Sequence, residues 1–385
     1  MKIIYVSLLG SKIDGVAKKI ISEFSALRES NEIESKLVTL ASRRPEKSLE
    51  KEIMSFDGKL LWSDNKRSRL CLRKQKFELA FGEINKMYPN NTIIYIRYPI
   101  ADKYFFEFLK RIESYTIITE HQEKENSKHI LLNVPLRYIS EYIYGKRVRK
   151  KIDAFVGVTR EILEYEFKRS GNASQKKGIV IGNGIDVSSV PLRKPPDLND
   201  NIELLFVGSI YRTHAIDRLI KGFKNYKGRY SYKLHIIGKG PETKKLKRLV
   251  NSLQLRNRVL FHGFKTGEEL DEFFDKCHIA IGSLGLHRIG LSEGSTLKVR
   301  EYCARGVPFI YGVPDVDFSE DFPYVLRVTS NEEPVDIRRV TYFVERVFSI
   351  KDHPRLMREY ALNKLDWSIK MKQLVKFMNE ILEEK

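Results

Sequence analysis

Short apolar runs alternate with amphipathic segments along most of the chain. The first half contains apolar runs at residues 2–8, 35–40, 92–96, 115–121, 153–159 and 177–187. Segments between them, such as 15–29 and 103–112, repeat apolar residues at the spacing of one helix face. Strands that alternate with helices and are apolar on both faces are typical of a parallel sheet covered on both sides. The first half is therefore predicted to be an α/β domain.

A polar segment at residues 188–200 interrupts this alternation. It contains three prolines and few apolar residues, and this composition indicates a linker. A second series of apolar runs follows, at residues 202–208, 232–240, 258–264, 278–284 and 307–312. The end of the chain, 366–385, has the pattern of an amphipathic helix. The predicted organisation is a domain at 1–187, a linker, and a second α/β domain at 201–365.

The composition agrees with two globular domains and narrows the setting. The chain has 385 residues, more than one core usually serves, and 42% of them are hydrophobic. The three cysteines form no CxxC motif or Cys/His cluster, so neither a disulfide framework nor a structural zinc site is predicted. The first residues lack the features of a signal peptide, and no apolar run has the length of a membrane span. These observations predict a cytoplasmic protein.

The formal net charge is +19 and the isoelectric point is about 9.6, so the protein is expected to attract anions. Basic residues are concentrated at 66–76 and 145–151, and residues 137–151 interleave aromatic with basic side chains. Both a solvated basic face and a peripheral contact with an anionic membrane fit these segments. A nucleic-acid-binding protein is the alternative of another class. Because neither a helix-turn-helix nor an aromatic RNA-binding motif is evident, no nucleic acid partner is expected.

Candidate chemistry is concentrated in one segment, EGSTLKVREY (293–302). Gly294 permits a sharp turn, and Ser295 or Thr296 can cap a helix that continues to residue 302. The first amides of a helix have no intrahelical partners and carry partial positive charge. This helix start is therefore a candidate phosphate site, to which Lys298 adds a full positive charge.

Two acids, Glu293 and Glu301, flank the candidate phosphate site. Eight residues of helix span roughly 12 Å, which is comparable to the distance between the ribose and the hexose of a nucleotide sugar. Ionised carboxylates accept hydrogen bonds from hydroxyl groups and repel phosphate. The pair therefore fits a ligand with hydroxyl-rich ends and an anionic middle. Two glutamates at this spacing are also common on an ordinary exposed helix face. The surrounding motifs therefore have to show whether this pair binds a ligand.

The second half resembles the retaining glycosyltransferases of family 4, which have the GT-B fold. The resemblance rests on a Gly-x-Gly-Pro segment with its helix and strand at 238–264, a helix and strand at 268–284, the Glu293/Glu301 pair, and a small-x-Gly-x-Pro segment at 304–310. It covers roughly residues 203–312, and only the order and spacing of all the motifs together are specific. The resemblance implies an α/β GT-B architecture with two Rossmann-like domains, whose parallel sheets face a central cleft.

The resemblance also implies roles for residues of the second half. Glu293 would be a catalytic residue that positions the transferred sugar without attacking it, and Glu301 would hold the ribose. The other implied nucleotide-sugar-binding residues are Gly208, Gly263, Phe264, Ser295, Thr296, Leu297 and Lys298. Those at 295–298 would bind the diphosphate, and the backbone near 263–265 would contact the base.

In the first half the resemblance is thinner. Gly15, in the loop after the first strand, would let the backbone approach the donor phosphates. His121, which follows the strand at 115–121, would be a catalytic residue that contacts the sugar or the acceptor. The C-terminal helix at 366–385 would pack back on this domain, with Trp367 where the family often has an aromatic residue.

The sequence departs from the family pattern at the cations that neutralise the diphosphate. Where family members commonly have an arginine and then Lys-Gly after the strand at 202–208, this chain has Ser209 and His214-Ala215. Arg212 and Arg288 are candidate substitutes, so which basic residue serves the diphosphate stays open.

The predicted function is transfer of a sugar, with retention, from a UDP- or GDP-sugar to a glycan or lipid-linked acceptor. No cofactor and no metal are expected, although Asp315 and Asp317 resemble the metal motif of the other major transferase fold. Assembly of bacterial surface polysaccharide is implied by the resemblance alone, as is a contact with the inner face of the cell membrane. The alternatives are a nucleotide-sugar 2-epimerase on the same fold and a protein that only binds a sugar or a nucleic acid.

Overall fold

The computed structural model describes residues 1–29, 33–41, 44–62, 69–87, 89–125, 127–171 and 176–384. The chain divides into two compact units. The first consists of Met1–Gly182 together with the C-terminal segment from Trp367, and the second of Asn183–Asp366. Each unit is an α/β structure with a parallel sheet, as the alternation of apolar runs predicts.

The first unit is built on a seven-stranded sheet, counted over the described residues. Its strands are β1 (Lys2–Leu9), β2 (Glu34–Ala41), β3 (Lys59–Leu61), β4 (Thr92–Arg97), β5 (Thr116–His121), β6 (Ala154–Gly157) and β7 (Lys177–Val180). Its helices are α1 (Gly15–Arg28), α2 (Lys47–Ser55), α3 (Arg69–Ile84), α4 (Lys103–Arg111), α5 (Lys128–Asn133), α6 (Pro135–Lys150) and α7 (Arg160–Ser170). All strand pairs are parallel, in the order β3-β2-β1-β4-β5-β6-β7.

The second unit repeats this plan with a six-stranded sheet. Its strands are β8 (Asn201–Val207), β9 (Ser231–Ile237), β10 (Val259–Gly263), β11 (Ile279–Ile281), β12 (Phe309–Tyr311) and β13 (Val325–Arg327). Its helices are α8 (Ile216–Asn225), α9 (Thr243–Ser252), α10 (Glu268–Lys276), α11 (Leu297–Arg305), α12 (Ile337–Phe348) and α13 (His353–Tyr360). The order is β10-β9-β8-β11-β12-β13, again with parallel pairs. Phe206, Phe223, Tyr232, Tyr302 and Phe309 are among the large side chains of its core.

The last helix, α14 (Trp367–Glu383), belongs to the first unit and packs on α1. Trp367 is buried, and the Nζ atom of Lys19 from α1 lies 5.5 Å from the centre of its ring.

The predicted linker at 188–200 is not a separate segment, because the structure places it in the second unit. Arg193 is buried there; its Nε donates to the carbonyl oxygen of Gly306 at 2.9 Å, and its Nη1 donates to that of Cys277. Arg358 donates to the carbonyl oxygen of Val190 at 2.6 Å. The prolines stop regular structure here, but hydrogen bonds to distant backbone carbonyls fix the segment on the unit that follows it.

The predicted fold class is confirmed by the two parallel α/β sheets. The strands β3 and β13 were not predicted, because each has only three residues and their apolar stretches are too short to show alternation. Within the described residues, none of the helices combines the length and the apolar character that a membrane crossing needs.

Candidate functional site

The order of strands in the second sheet indicates where a ligand binds. The chain runs from β8 outward to β9 and β10, and then returns to add β11 on the other side of β8. In open parallel sheets, ligands bind at the carboxyl ends of the strands, where the strand order reverses in this way. Gly208 directly follows β8, and the loop after β11 leads to the start of α11. The predicted phosphate-binding segment therefore lies at the switch point of this sheet.

Tyr302 fixes the spacing of the two strands at this switch point. Its hydroxyl accepts a hydrogen bond from the N–H of Val207 at 3.3 Å and donates one to the carbonyl oxygen of Ile281 at 3.2 Å. The ring is fully buried against Phe274 and Phe309. Tyr302 was not among the predicted site residues. A tyrosine inside an otherwise apolar helix face is a signal that its hydroxyl has a buried partner.

Two glycines bring the ends of β8 and β9 into direct backbone contact. Gly208 and Gly238 both have positive φ, of 133° and 121°. A Cβ atom added to Gly238 would lie 2.1 Å from the carbonyl oxygen of Gly208, so no larger residue fits there. A Cβ atom added to Gly208 would lie 3.6 Å from the Nζ atom of Lys298, which places Gly208 beside that lysine as predicted for a shared site.

The start of α11 is open to a ligand. Thr296 is at the N-cap position with extended backbone, and within the described structure its side chain makes no capping hydrogen bond. The other candidate capping residue, Ser295, binds elsewhere: its Oγ accepts a hydrogen bond from the backbone N–H of Asn183 at 2.7 Å. Within the described structure, the first-turn amides that follow Thr296 are therefore not capped by its side-chain oxygen. This arrangement suits an anionic oxygen.

Lys298 lies in the first turn of α11 and is only partly exposed. Its Nζ atom is 2.6 Å from Nε2 of His214 and 4.6 Å from the centre of the Phe206 ring. His214 is buried, and its Nδ1 accepts a hydrogen bond from the backbone N–H of Tyr211 at 3.1 Å. His214 occupies the position where the family commonly has a lysine. In the structure it contacts a lysine from another element, Lys298 of α11.

The hydrogen bonds around His214 define the protonation state of Lys298. A backbone N–H can only donate, so Nδ1 of His214 carries no proton and the neutral ring carries its proton on Nε2. This Nε2–H then donates to Lys298, whose amine has to be neutral to accept. Burial lowers the pKa of Lys298 to about 7, and burial together with Lys298 lowers the pKa of His214 to about 2. Lys298 is therefore a lysine whose charge a bound anion would favour.

Glu301 lies in the second turn of α11 and is about one-third exposed, at 30% of its side chain. Its Oε1 accepts a hydrogen bond from Nε of Arg305 at 2.9 Å, and Arg305 also donates to Oδ1 of Asp271 at 2.7 Å. Arg305 thereby holds the Glu301 carboxylate in one orientation. Within the described residues, no side chain is hydrogen-bonded to Oε2 of Glu301, so this oxygen is available to a hydroxyl group.

Glu293 is partly buried in the loop before α11. The next residue, Gly294, donates its N–H to the carbonyl oxygen of Pro314 at 2.8 Å, which ties this loop to the segment after β12. The loop is also held from within, because Leu286 packs within 2.9 Å of the position that a Cβ atom of Gly294 would occupy. The backbone at Glu293 is therefore constrained by its neighbour Gly294.

Gly263 and Phe264, which were predicted to lie near the base, are at the end of β10, and β9 lies between β10 and β8. Gly263 ends β10 with φ of 73°, a conformation that favours glycine. Phe264 follows it with 77% of its surface exposed, which is unusual for a phenylalanine. An exposed aromatic ring at the carboxyl end of a parallel strand is suited to stacking on a planar ring.

The structure does not favour Arg288 as the cation that neutralises the diphosphate. Its guanidinium donates to both carboxylate oxygens of Asp217 at 2.9 Å and to Oε2 of Glu332 at 2.7 Å. These two acids raise the pKa of Arg288 even though burial opposes it, so the charge is already compensated. Arg212 is exposed in the turn at Arg212–His214, and the structure leaves its guanidinium available.

The two aspartates that resemble a metal motif, Asp315 and Asp317, both form salt bridges with Arg300. Arg300 is fully buried in α11; its Nη2 donates to Oδ1 of Asp315 at 2.8 Å and also to Asp317. The Nε of Arg300 donates to the carbonyl oxygen of Asn183 at 2.7 Å. This arginine connects three loops beneath the start of α11, and it was not predicted because its partners are far away in the sequence.

The structure does not favour His121 as a contact of the sugar or the acceptor. Its side chain is fully buried in the first unit. Nε2 lies 2.8 Å from Oγ1 of Thr119, Nδ1 lies 3.2 Å from Oε2 of Glu166, and the Tyr98 ring is 4.3 Å away. Burial raises the pKa of Glu166, but His121 and Arg149 outweigh it and hold the pKa at about 2. His121 is one member of a buried charged network.

Gly15, the other predicted residue of the first unit, begins α1. The two amides that follow it, of Val16 and Ala17, donate to Oδ1 of Asp14 at 3.0 and 2.9 Å. Because an aspartate already caps this helix, these amides are not free for phosphate. The space around Gly15 is open, with no atom within 4 Å of an added Cβ.

Comparison with known proteins finds a family match in the second unit. Residues 192–314 match the family model described as "Glycosyl transferases group 1". This segment contains Gly208, Gly263 and all of α11. Over this segment, the second unit is similar to the group 1 glycosyltransferases. No curated protein matches its sequence.

Solved glycosyltransferase structures share the fold over the whole chain. The apo form of the lipopolysaccharide outer core galactosyltransferase WaaB is 17% identical, with a TM-score of 0.67, over 97% of this chain and 99% of WaaB. HepE from Anabaena, solved in complex with UDP, is 13% identical with a TM-score of 0.67, over 99% of this chain and 100% of HepE. Sucrose-phosphate synthase from Thermosynechococcus elongatus is 14% identical with a TM-score of 0.67, and both chains are covered fully. The two parallel units of this chain thus match the fold of these glycosyltransferases.

Proposed function

We propose that this protein is a glycosyltransferase that transfers a sugar from a UDP- or GDP-sugar, with retention of configuration, to a glycan or lipid-linked acceptor in surface polysaccharide assembly. The observation that carries the proposal is the uncapped start of α11, placed beside Gly208 and Lys298 at the switch point of the second sheet. HepE has been solved with UDP-glucose, and WaaB is an outer core galactosyltransferase, which supports both the donor and the setting.

The chemistry of transfer explains why these groups lie together. When the bond between the anomeric carbon and the phosphate oxygen breaks, positive charge develops on the sugar ring and negative charge on the leaving diphosphate. Donors that already point at the leaving group stabilise this charge without reorganisation. The amides after Thr296 supply them, and Lys298 becomes charged when the diphosphate arrives. No metal is required by this arrangement, because the helix start and the lysine supply the positive charge.

The two glutamates and Phe264 define the ends of the donor. The free oxygen of Glu301 accepts from a ribose hydroxyl, while Arg305 keeps its carboxylate in place. Glu293 accepts from hydroxyls of the transferred sugar and orients its anomeric carbon. The exposed ring of Phe264 covers one face of the base.

The experiment that tests the donor site is isothermal titration with UDP-, GDP- and ADP-glucose. One of these should bind, and Glu301→Gln should weaken its affinity about tenfold, because the variant loses a charge-assisted hydrogen bond of roughly 1.4 kcal/mol. Glu359→Gln changes an exposed glutamate on α13 of the same unit and serves as the matched control. Equal affinity of wild type and Glu301→Gln would remove Glu301 from the ribose site.

Retention can be tested on the same donor. In the absence of an acceptor, slow hydrolysis releases the sugar, and the first anomer formed is visible by proton NMR. The proposal requires the anomer that has the configuration of the donor. Accumulation of an epimerised sugar without any transfer would instead favour the 2-epimerase.

The proposed membrane contact rests on α5 and α6. Their exposed apolar side chains are Leu131, Leu132, Val134, Leu136, Ile139, Tyr142 and Ile143. Leu136 is 81% exposed, and the exposed cations Lys146, Arg147 and Lys150 follow on α6. An apolar face beside cations is suited to the interface of an anionic membrane. Not all of the predicted basic segment contributes, since Arg149 is buried and bound to Glu141 and Glu166.

Flotation with lipid vesicles tests this contact. The wild type should float with vesicles that contain phosphatidylglycerol and less with pure phosphatidylcholine. Leu136→Asp should lose flotation, whereas Leu356→Asp, at an exposed leucine of the second unit, should retain it. Flotation that is independent of lipid charge and of Leu136 would rule the surface out. Of the predicted basic segment at 66–76, residues 66–68 lie outside the described residues.

A further inference from the structure

The first unit has a switch point of its own, and a cavity lies there. The chain runs from β1 outward to β2 and β3, and then returns to add β4 beside β1. A cavity of about 290 Å³ opens at the carboxyl ends of these strands. It is lined by Leu8 from β1, Arg97 from β4 and Gln122 from the end of β5, and by Arg73 and Arg137 from helices. Its position in the first sheet is therefore equivalent to that of the donor site in the second sheet.

The buried polar atoms of this cavity without partners are hydrogen-bond donors. In the part of the chain that the structure describes, Nε of Arg97, Nε2 of Gln122 and Nε of Arg137 are buried and have no hydrogen-bond acceptor. Buried donors without an acceptor are costly and rare in folded proteins. No buried acceptor atom of the lining side chains is left without a partner in the same described part. A ligand that suits the cavity therefore has to bring acceptor oxygens.

The charges of the cavity favour an anionic ligand. Arg73 forms a salt bridge with Asp102 and donates to the carbonyl oxygen of Ile100, and Arg137 donates to Glu123 and Glu125. Burial and Glu123 raise the pKa of Glu125 to about 8, so this acid carries a proton at neutral pH and compensates little positive charge.

Arg97 is the cation without a hydrogen-bonded acid. It pairs in register with Glu120 on β5, whose Oε1 accepts from Lys19 at 2.5 Å. Among the described residues, no carboxylate is hydrogen-bonded to the Arg97 guanidinium. Burial raises the pKa of Glu120, but Lys19 and Arg97 outweigh it and lower this pKa, so Glu120 is a charged neighbour of Arg97. The guanidinium nevertheless keeps a buried N–H without an acceptor, and its planar fork matches the geometry of phosphate and carboxylate.

We propose that this cavity binds an anionic oxygen group of the acceptor, a phosphate or a carboxylate, through Arg97 with Arg73 and Arg137. The inference rests on the proposed function, because it names the acceptor class of that transfer. Arg137 also lies on α6, between the exposed Leu136 and Ile139, so the cavity adjoins the apolar surface described above. An acceptor whose anionic group sits at a lipid surface would reach both features.

The test compares three probes: glucose 6-phosphate, glucuronate and methyl glucoside. Each is titrated at millimolar concentration into the full-length protein saturated with UDP, which fills the phosphate site of the second unit. The phosphate probe, the carboxylate probe or both should bind, and the neutral glucoside should not. The probe that binds identifies the source of the anion. Equal binding of all three, or of none, would overturn the proposal.

Variants at Arg97 locate the site. Arg97→Gln should weaken the anionic probe at least tenfold, and Arg97→Lys, which keeps the charge and loses the fork, should weaken it less. Arg160→Gln, at an exposed arginine of the same unit, should bind like the wild type. If Arg97→Gln binds UDP and melts normally but also binds the anion unchanged, the site lies elsewhere. If UDP does not bind the wild type, GDP takes its place in these titrations. Failure of both nucleotides would count against the donor site, and the Arg97 comparison would then be made without a nucleotide.

Discussion

The two switch points of this protein have the same strand order but different chemistry. At the second sheet, backbone groups form the site: Gly208 and Gly238 meet without side chains, and the start of α11 presents its amides. At the first sheet, charged side chains from β4, α3 and α6 surround a cavity. A site made of backbone needs glycines and a helix start at fixed spacing, which leaves a motif in the sequence. A site made of scattered side chains leaves none.

The largest effect expected from this comparison concerns Lys298. Lys298→Met keeps the length of the side chain but cannot be charged by the diphosphate. Loss of one preorganised group at a leaving anion costs about 100-fold or more in turnover. Donor hydrolysis measured at saturating UDP-sugar should fall by this factor.

Lys244→Met is the control for Lys298, because Lys244 is an exposed lysine of α9 in the same unit. It should hydrolyse the donor at the wild-type rate. If Lys298→Met kept wild-type turnover, another cation, such as the exposed Arg212, would be serving the leaving group, and the amine beside His214 would have only a structural role.

The second prediction compares the effect of an added Cβ atom at Gly238 of the second unit with its effect at Gly15 of the first unit. Gly238→Ala adds a Cβ atom 2.1 Å from the carbonyl oxygen of Gly208, at φ of 121°. Strain of this kind costs about 1–3 kcal/mol, and relief of the contact adds to it. Hydrogen exchange monitored by mass spectrometry should show faster opening of β8 and β9.

Gly15→Ala is the counterpart in the first unit. Nothing lies within 4 Å of the added Cβ atom, and the residue begins a helix. The substitution should leave stability unchanged or raise it by roughly 0.4–1 kcal/mol. Equal destabilisation by both substitutions would mean that the Gly208–Gly238 contact is not the feature that separates the two sheet edges.

Much of the fold and of the donor site was predictable from local sequence. Apolar runs located the longer strands, and their alternation with helices indicated parallel sheets. The segment that contains Lys298 was predicted as a helix start, and it is one. These features depend on neighbours a few positions away, which periodicity and turn residues record.

The remaining assignments depend on partners distant in the sequence. Arg288 was predicted to be a candidate cation for the diphosphate, but Asp217 and Glu332 lie beside it in the structure. His121 followed a strand like a site histidine, but Glu166 and Thr119 hold it in the core. Whether a charged side chain is available to a ligand is decided by tertiary contacts, and a single sequence does not contain them.

The pH dependence of donor binding distinguishes the two sites most finely. The pKa of Lys298 in the empty site is lowered to about 7, and a bound diphosphate raises it again. Below pH 7 the lysine is already charged, so affinity for the donor is constant. Above pH 7 the empty site holds the neutral amine that accepts from His214, and binding has to take up a proton. Affinity should therefore fall by up to about tenfold per pH unit until the pKa of the bound state is reached.

UDP-glucose is the appropriate probe for this dependence, since its diphosphate has no group that titrates near neutral pH. Titrations in two buffers of different ionisation enthalpy should show uptake of a proton above pH 7, and Lys298→Met should abolish both the uptake and the slope. Anion binding at Arg97 should contribute no such slope through the arginine itself, because a guanidinium stays charged throughout this range. A flat profile for UDP-glucose between roughly pH 6 and 9 would mean that Lys298 is charged before the donor arrives. The contact with His214 would then have to break in the empty enzyme, and the donor site would be preorganised in its charge as well as in its backbone.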